Sequence, residues 1–142
     1  MERNVREYTL TRTCLYREIT ARVLFYPEGI HVSLFGGDLP HIGAVSITDT
    51  KGKRTDLVFP GHREDTITVR WSAVFLSAGL LPAVVEAGIH YDGISKEEIL
   101  EVLNCCDAIL SDILRLAEKK QPDTTRAASP PSSSGPSLLQ ND

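Results

Sequence analysis

Apolar residues recur at every second position through Ile19, Ala21, Val23 and Phe25, and again through Ile30, Val32 and Leu34. A period of two belongs to a strand with one buried face, and the intervening Pro27-Glu28-Gly29 is turn chemistry, so the two runs predict a β-hairpin. The stretch from Tyr8 to Leu15 alternates well enough for another strand ahead of them. Farther on, Ala44 to Thr48 and Leu57 to Phe59 flank Asp49-Thr50-Lys51-Gly52, a polar segment with glycine where a hairpin connection needs positive φ.

From Thr66 to Ala78 two signals compete. Thr66, Ile67, Thr68 and Val69 are a β-branched run, whereas Ile67, Trp71, Val74, Phe75 and Ala78 follow helical spacing. Punctuation sides with the helix, because Asp65 suits the N-cap, Gly79 the C′ position, and Pro82 lies just beyond. Ala83 to His90 returns to a short strand-like run. The last helix opens at the capping box Ser95-Lys96-Glu97-Glu98 and carries the stripe Ile99, Leu103, Cys106, Leu110 and Ile113. It closes at Lys119-Lys120, cations suited to the negative end of the helix dipole. The fold class expected is α+β, an antiparallel or mixed β-sheet with two α-helices packed on one face.

Length and composition divide the 142 residues into a single domain over 1–121 and a Ser/Pro-rich tail over 122–142 that is expected to be disordered. Fifteen basic and 19 acidic residues give a net charge of -4 with no Lys/Arg cluster, which argues against nucleic acid as a partner. The start, MERNVREYTL, lacks the apolar core of a signal peptide, and no apolar run approaches the roughly 18 residues needed to span a bilayer. A cytoplasmic protein with no membrane partner is the expectation. Cys14, Cys105 and Cys106 are odd in number, and the vicinal pair cannot easily bridge to itself inside a helix, so reduced and mostly buried thiols are expected.

Three segments hold more Gly and His than a connection requires: GGDLPHIGAV at 36–45, FPGHRED at 59–65 and EAGIHYDG at 86–93. Gly36 and Gly37 let backbone approach a ligand, and successive N–H groups in such a turn can form an anion-binding concavity. His41, His62 and His90 each sit in a Gly-bearing loop or strand end and can converge on one pocket, whereas His31 lies within a strand. Converging histidines suit two sites. Three neutral imidazoles with an open position can hold zinc, although HxH or HxxxH spacing is absent. Alternatively, they donate hydrogen bonds to phosphate or to heteroatoms of a cofactor ring, which needs no fixed coordination geometry and is the preferred reading. Asp65 reads as a helix cap before a pocket acid. No GxSxG elbow, Walker loop or GxGxxG fingerprint occurs, and the cysteines fall in a strand and inside a helix, so nucleophilic catalysis and nucleotide binding have no motif behind them.

Taken in order, GGDLPHIGAV, FPGHRED and AGIHYDGISKEEI resemble the small D subunit of gallate-type decarboxylase systems, a family of prenylated-flavin chaperones, over about Ala21 to Leu116. The resemblance implies a non-catalytic protein that binds reduced prenylated flavin mononucleotide (prenylated FMN) and assists its loading into a UbiD-type decarboxylase. A flavin prenyltransferase would be the cofactor's source and a further partner. It also implies a helix after the FPGH segment. Matched by position, Gly36, Gly37, His41, Gly43, His62 and His90 become the expected cofactor-binding residues, with no catalytic residue and no metal; His31 matches no motif position. Two alternatives stay open: a metal-dependent enzyme using His41, His62 and His90, and a structural decarboxylase subunit with no ligand of its own. Short sheets often leave edges or apolar faces that a second copy covers, so a homo-oligomer is a further expectation.

Overall fold

The computed structural model describes residues 4–119. Three strands, β1 (Arg6–Cys14), β2 (Arg17–Tyr26) and β3 (Gly29–Gly37), form an antiparallel meander, followed by the hairpin β4 (Ala44–Thr48) and β5 (Arg54–Val58). Helix α1 (Asp65–Ser77), strand β6 (Ala83–His90) and helix α2 (Lys96–Lys119) complete the chain. The sheet order is β1-β2-β3-β6-β4-β5. Strand β6 therefore inserts between β3 and β4, parallel to the first and antiparallel to the second. Parallel neighbours need a crossover, and the β4–β5 hairpin with α1 supplies it. The fold is α+β with a mixed six-stranded sheet, as the patterning predicts.

Period two in the sequence becomes one buried face. Ala21 and Leu34 are register partners, as are Val23 and Val32, and the row continues onto Ala83, Val85 and Ala87 of β6. All seven are buried, and they share one core with Trp71 and Phe75 of α1 and Ile109 and Ile113 of α2. Helix α1 covers β4, β5 and β6, while α2 lies against β1 and β2. On the opposite face Leu24, His31, Val84 and Ile47 line up across four strands, and Ile47 is 48% exposed.

The helix ends follow local chemistry with two shifts from expectation. At α2 the capping box is formed: Ser95 N–H donates to Glu98 Oε1 at 2.8 Å, and Glu98 N–H donates to Ser95 Oγ at 3.1 Å. The buried stripe of α2 is Val102, Cys106, Ile109, Leu110, Ile113 and Leu116, whereas Ile99 is 45% exposed. The stripe starts a turn late, at Val102, beside the point where the thiol of Cys14, the last residue of β1, meets the Glu101 carbonyl at 3.9 Å. At α1, Glu64 rather than Asp65 occupies the N-cap position, and it makes no side-chain cap bond. The C-terminus of α1 closes as a Schellman motif: Gly79 (φ +76°) donates to Leu76 O and Leu80 donates to Phe75 O, both close to 3 Å (3.0 and 2.9 Å).

Cys14 and Cys106 are buried free thiols, and Cys105 is half-buried. Burial is the main cause that pushes both Cys14 and Cys106 up to about 12, so neither is a ready nucleophile near neutrality. Among the described residues no helix is long and apolar enough to cross a membrane. The Ser/Pro segment 122–142 lies outside the described residues.

Candidate functional site

Strand β3 ends beside the end of β6, and two glycines let the backbones close up. Gly37 has φ +81°, and a Cβ there would overlap the His90 carbonyl oxygen; at Gly36 a Cβ would overlap the Glu18 carbonyl oxygen. Both glycines belong to β3, in register with Ile89 and His90. The chain then runs along β6 instead of looping away: Asp38, His41 and Gly43 donate N–H bonds to the carbonyls of His90, Gly88 and Ala87 at 2.6, 3.4 and 2.9 Å. Gly88 makes this possible, since a Cβ on it would occupy the place of the His41 carbonyl. A glycine inside a strand marks such a close approach, a signal available in the sequence at EAGIH.

Asp38 fastens this corner. Its carboxylate accepts from Tyr16 Oη and Arg17 Nε, each at 2.7 Å, and from Asp92 N–H at 2.9 Å. These three donors, led by the Asp92 N–H, hold its acidity at about 2 against an ordinary 3.8. The β1–β2 turn, the end of β3 and the loop entering α2 are thus tied at one carboxylate.

Beyond Asp38 the β3–β4 connection carries His41 against the loop that enters α1. The His41 and His62 rings lie 4.7 Å apart between centroids. Glu64 joins them, with its Oε2 2.9 Å from His41 Nε2 and its Oε1 3.5 Å from His62 Nδ1. Glu64 is drawn here instead of capping its own helix. Its Oε1 is buried and has no hydrogen-bond partner, while Oε2 also accepts weakly from Ile89 N–H at 3.3 Å. Gly43 provides the space, because a Cβ on it would overlap the Glu64 carboxylate. On the outer side of His41, Nδ1 lies 2.8 Å from the Leu39 carbonyl oxygen. That oxygen only accepts, so Nδ1 carries a hydrogen.

Two of the three motif histidines therefore meet, and the third does not. His90 pairs with Asp92 Oδ1 at 2.9 Å, and its side chain is half exposed. The expected alternative of a His41–His62–His90 metal centre is corrected by this geometry, since among the described residues the group able to hold an ion is His41, His62 and Glu64. Sequence reasoning missed Glu64, although it stands two residues from His62 in FPGHRED. The excluded His31 sits far along β3, 3.6 Å from Glu86, beside a cavity of about 380 Å³ also lined by Tyr26, Pro82 and Val84.

The two loops that carry this polar cluster also present apolar side chains to solvent. Leu39 and Ile42 flank His41 and are 59% and 54% exposed; Phe59, whose N–H donates to Gly43 O and whose carbonyl accepts from His62 N–H, is 40% exposed. A polar cluster rimmed by exposed apolar side chains can cover a flat ring and meet its heteroatoms.

The family model described as the prenylated flavin chaperone LpdD-like domain matches residues 14–118, from the last residue of β1 to the final turn of α2, with all three glycine-bearing loops inside it. No curated protein matches the chain. A match over this share of the sequence settles the family: the chain belongs to the prenylated flavin chaperone LpdD-like family.

Proposed function

We propose that this chain binds reduced prenylated FMN at the His41–His62 end of the sheet and assists its delivery to a UbiD-type decarboxylase without itself catalysing a reaction. One observation carries the placement: the two motif loops of a prenylated-flavin chaperone meet at a His–His–Glu cluster rimmed by Leu39, Ile42 and Phe59. The apolar rim suits the prenylated ring system, and the imidazole of His62 suits its heteroatoms. His41 contributes less freely, because both of its nitrogens already face partners within the chain. Gly36, Gly37 and Gly43 act through backbone packing that holds the loops, and His90 stands at the neighbouring corner fixed by Asp38. Arg63, exposed and with no carboxylate partner among the described residues, is the nearest cation along the chain for the cofactor phosphate. A shallow, loop-built site favours release to an acceptor over retention. A flavin prenyltransferase is the corresponding source of the cofactor.

The test is anaerobic titration of the full chain with reduced prenylated FMN beside reduced plain FMN. Preference for the prenylated form is expected, with His62→Ala weakening binding by about tenfold, the size of one ordinary hydrogen bond. Loaded chain is also expected to activate an apo UbiD-type decarboxylase faster than the same amount of free cofactor. Equal binding of the two flavins, or no binding, refutes the reading. Gly37→Val is unsuitable here, since its side chain would collide with the His90 backbone and perturb the sheet itself.

A further inference from the structure

We infer that His41, His62 and Glu64 form a binding site for one divalent transition ion of the zinc class, with three protein ligands and an open coordination position. The first support is the orientation of His41. With Nδ1 donating to the Leu39 carbonyl at 2.8 Å, the ring is held with Nε2 turned to Glu64 Oε2, 2.9 Å away. A metal ion bound by that nitrogen and that carboxylate takes the place of the proton they otherwise share. A backbone carbonyl that fixes the outer nitrogen of a histidine commonly orients the ring as a metal ligand.

A second, independent support is the orphaned oxygen. Glu64 Oε1 is buried, has no hydrogen-bond partner, and lies 3.5 Å from His62 Nδ1. A buried carboxylate oxygen without a donor is costly, and coordination removes the cost. The dimensions agree as well. The ligand atoms all lie within 4.8 Å of one another, with the two Glu64 oxygens 2.9 Å from His41 Nε2 and 3.5 Å from His62 Nδ1, near enough for one ion to draw them together. The Glu64 carboxylate is further held by Ile89 N–H and given room by Gly43.

Two imidazole nitrogens and one carboxylate fit zinc, cobalt or ferrous iron better than calcium or magnesium, which prefer all-oxygen shells. A divalent ion also reverses the sign of the site. The buried carboxylate alone repels an anionic ligand, whereas the loaded cluster is positive and offers its open position to an anionic oxygen. This last consequence rests on the cofactor reading above; the ion site itself does not.

The experiment uses tag-free full chain stripped with chelator and titrated with zinc by calorimetry and with cobalt by visible absorption, with no flavin present. One ion per chain and a tetrahedral cobalt spectrum are expected. Glu64→Gln and His62→Ala, each confirmed folded by circular dichroism, are expected to weaken binding more than about a hundredfold, beyond what losing a group that only orients a ligand costs. His31→Ala is expected to bind as the parent does. No uptake of either ion by the folded parent, or uptake unchanged in both Glu64→Gln and His62→Ala, overturns the site. Because flavin is absent throughout, these outcomes stand apart from the success or failure of the cofactor titration.

Discussion

Replacing Gly43 by alanine tests whether the glycine is there to admit the Glu64 carboxylate. The backbone at Gly43 is not in the positive-φ region, so alanine brings no conformational strain, and the near neighbours of its new Cβ all belong to the Glu64 side chain. The methyl group displaces the carboxylate and breaks its contact with His41. Hydrogen bonds to charged groups contribute about 1.5–3 kcal/mol, and partial re-solvation of Glu64 at the start of α1 returns some of this, so a loss of about 2 kcal/mol is expected. With a urea slope of about 2 kcal/mol/M for a domain of this size, the unfolding midpoint falls by about 1 M. The decisive measurement is a double-mutant cycle. In a Glu64→Ala background the three atoms nearest that Cβ are gone, and Gly43→Ala is expected to cost much less. Gly79→Ala, with φ +76° and no atoms near its Cβ, is the matching control: it destabilises by about 1 kcal/mol through backbone strain alone and leaves cofactor affinity unchanged. An unchanged midpoint in Gly43→Ala, or the same cost with and without the Glu64 carboxylate, refutes the argument.

Two further outcomes can be measured on the unliganded chain. Asp38 has a folded acidity near 2, lowered from 3.8 by the Asp92 N–H, Tyr16 and Arg17, so its contribution is fully present above about pH 4 and is lost as pH falls through about 2. Thermal melts across that window are expected to show Asp38→Asn less stable than the parent at pH 7 and the gap closing toward pH 2; a gap independent of pH contradicts the assignment. Thr48 is 2% exposed, and its hydroxyl is buried with no hydrogen-bond partner. Thr48→Val removes that orphaned group at nearly constant shape and is expected to stabilise by about 1 kcal/mol in urea unfolding; destabilisation of similar size would mean the hydroxyl has a partner.

Much of the scaffold is legible along the chain because its signals are local. The alternation at Ile19 to Phe25 and Ile30 to Leu34, the turn at Asp49 to Gly52, the capping box at Ser95 and the Gly79 stop are each decided by residues a few positions apart, and each is formed. The competition over Thr66 to Ala78 resolves as the period indicates, since burying Trp71 and Phe75 on one helical face outweighs the modest β preference of the branched residues. The exposure of Ile99 depends on where α2 meets the end of β1, 87 positions away at the Cys14–Glu101 contact, and no local pattern carries it.

The site divides the same way. Glycines and histidines mark the three loops in the sequence, because turns and close approaches demand particular residue types. Which of those residues meet is a property of the sheet order: inserting β6 between β3 and β4 brings Gly88 under His41 and places the entry to α1 against the same loop. That insertion joins His41 to His62, sends His90 to Asp92, and turns Glu64 from a helix-start residue into the carboxylate of the cluster. The sequence by itself thus determined the elements and the chemical types at their ends. The tertiary structure alone decided the partnership of His41, His62 and Glu64, since side-chain contacts across strands follow from long-range pairing and not from spacing along the chain.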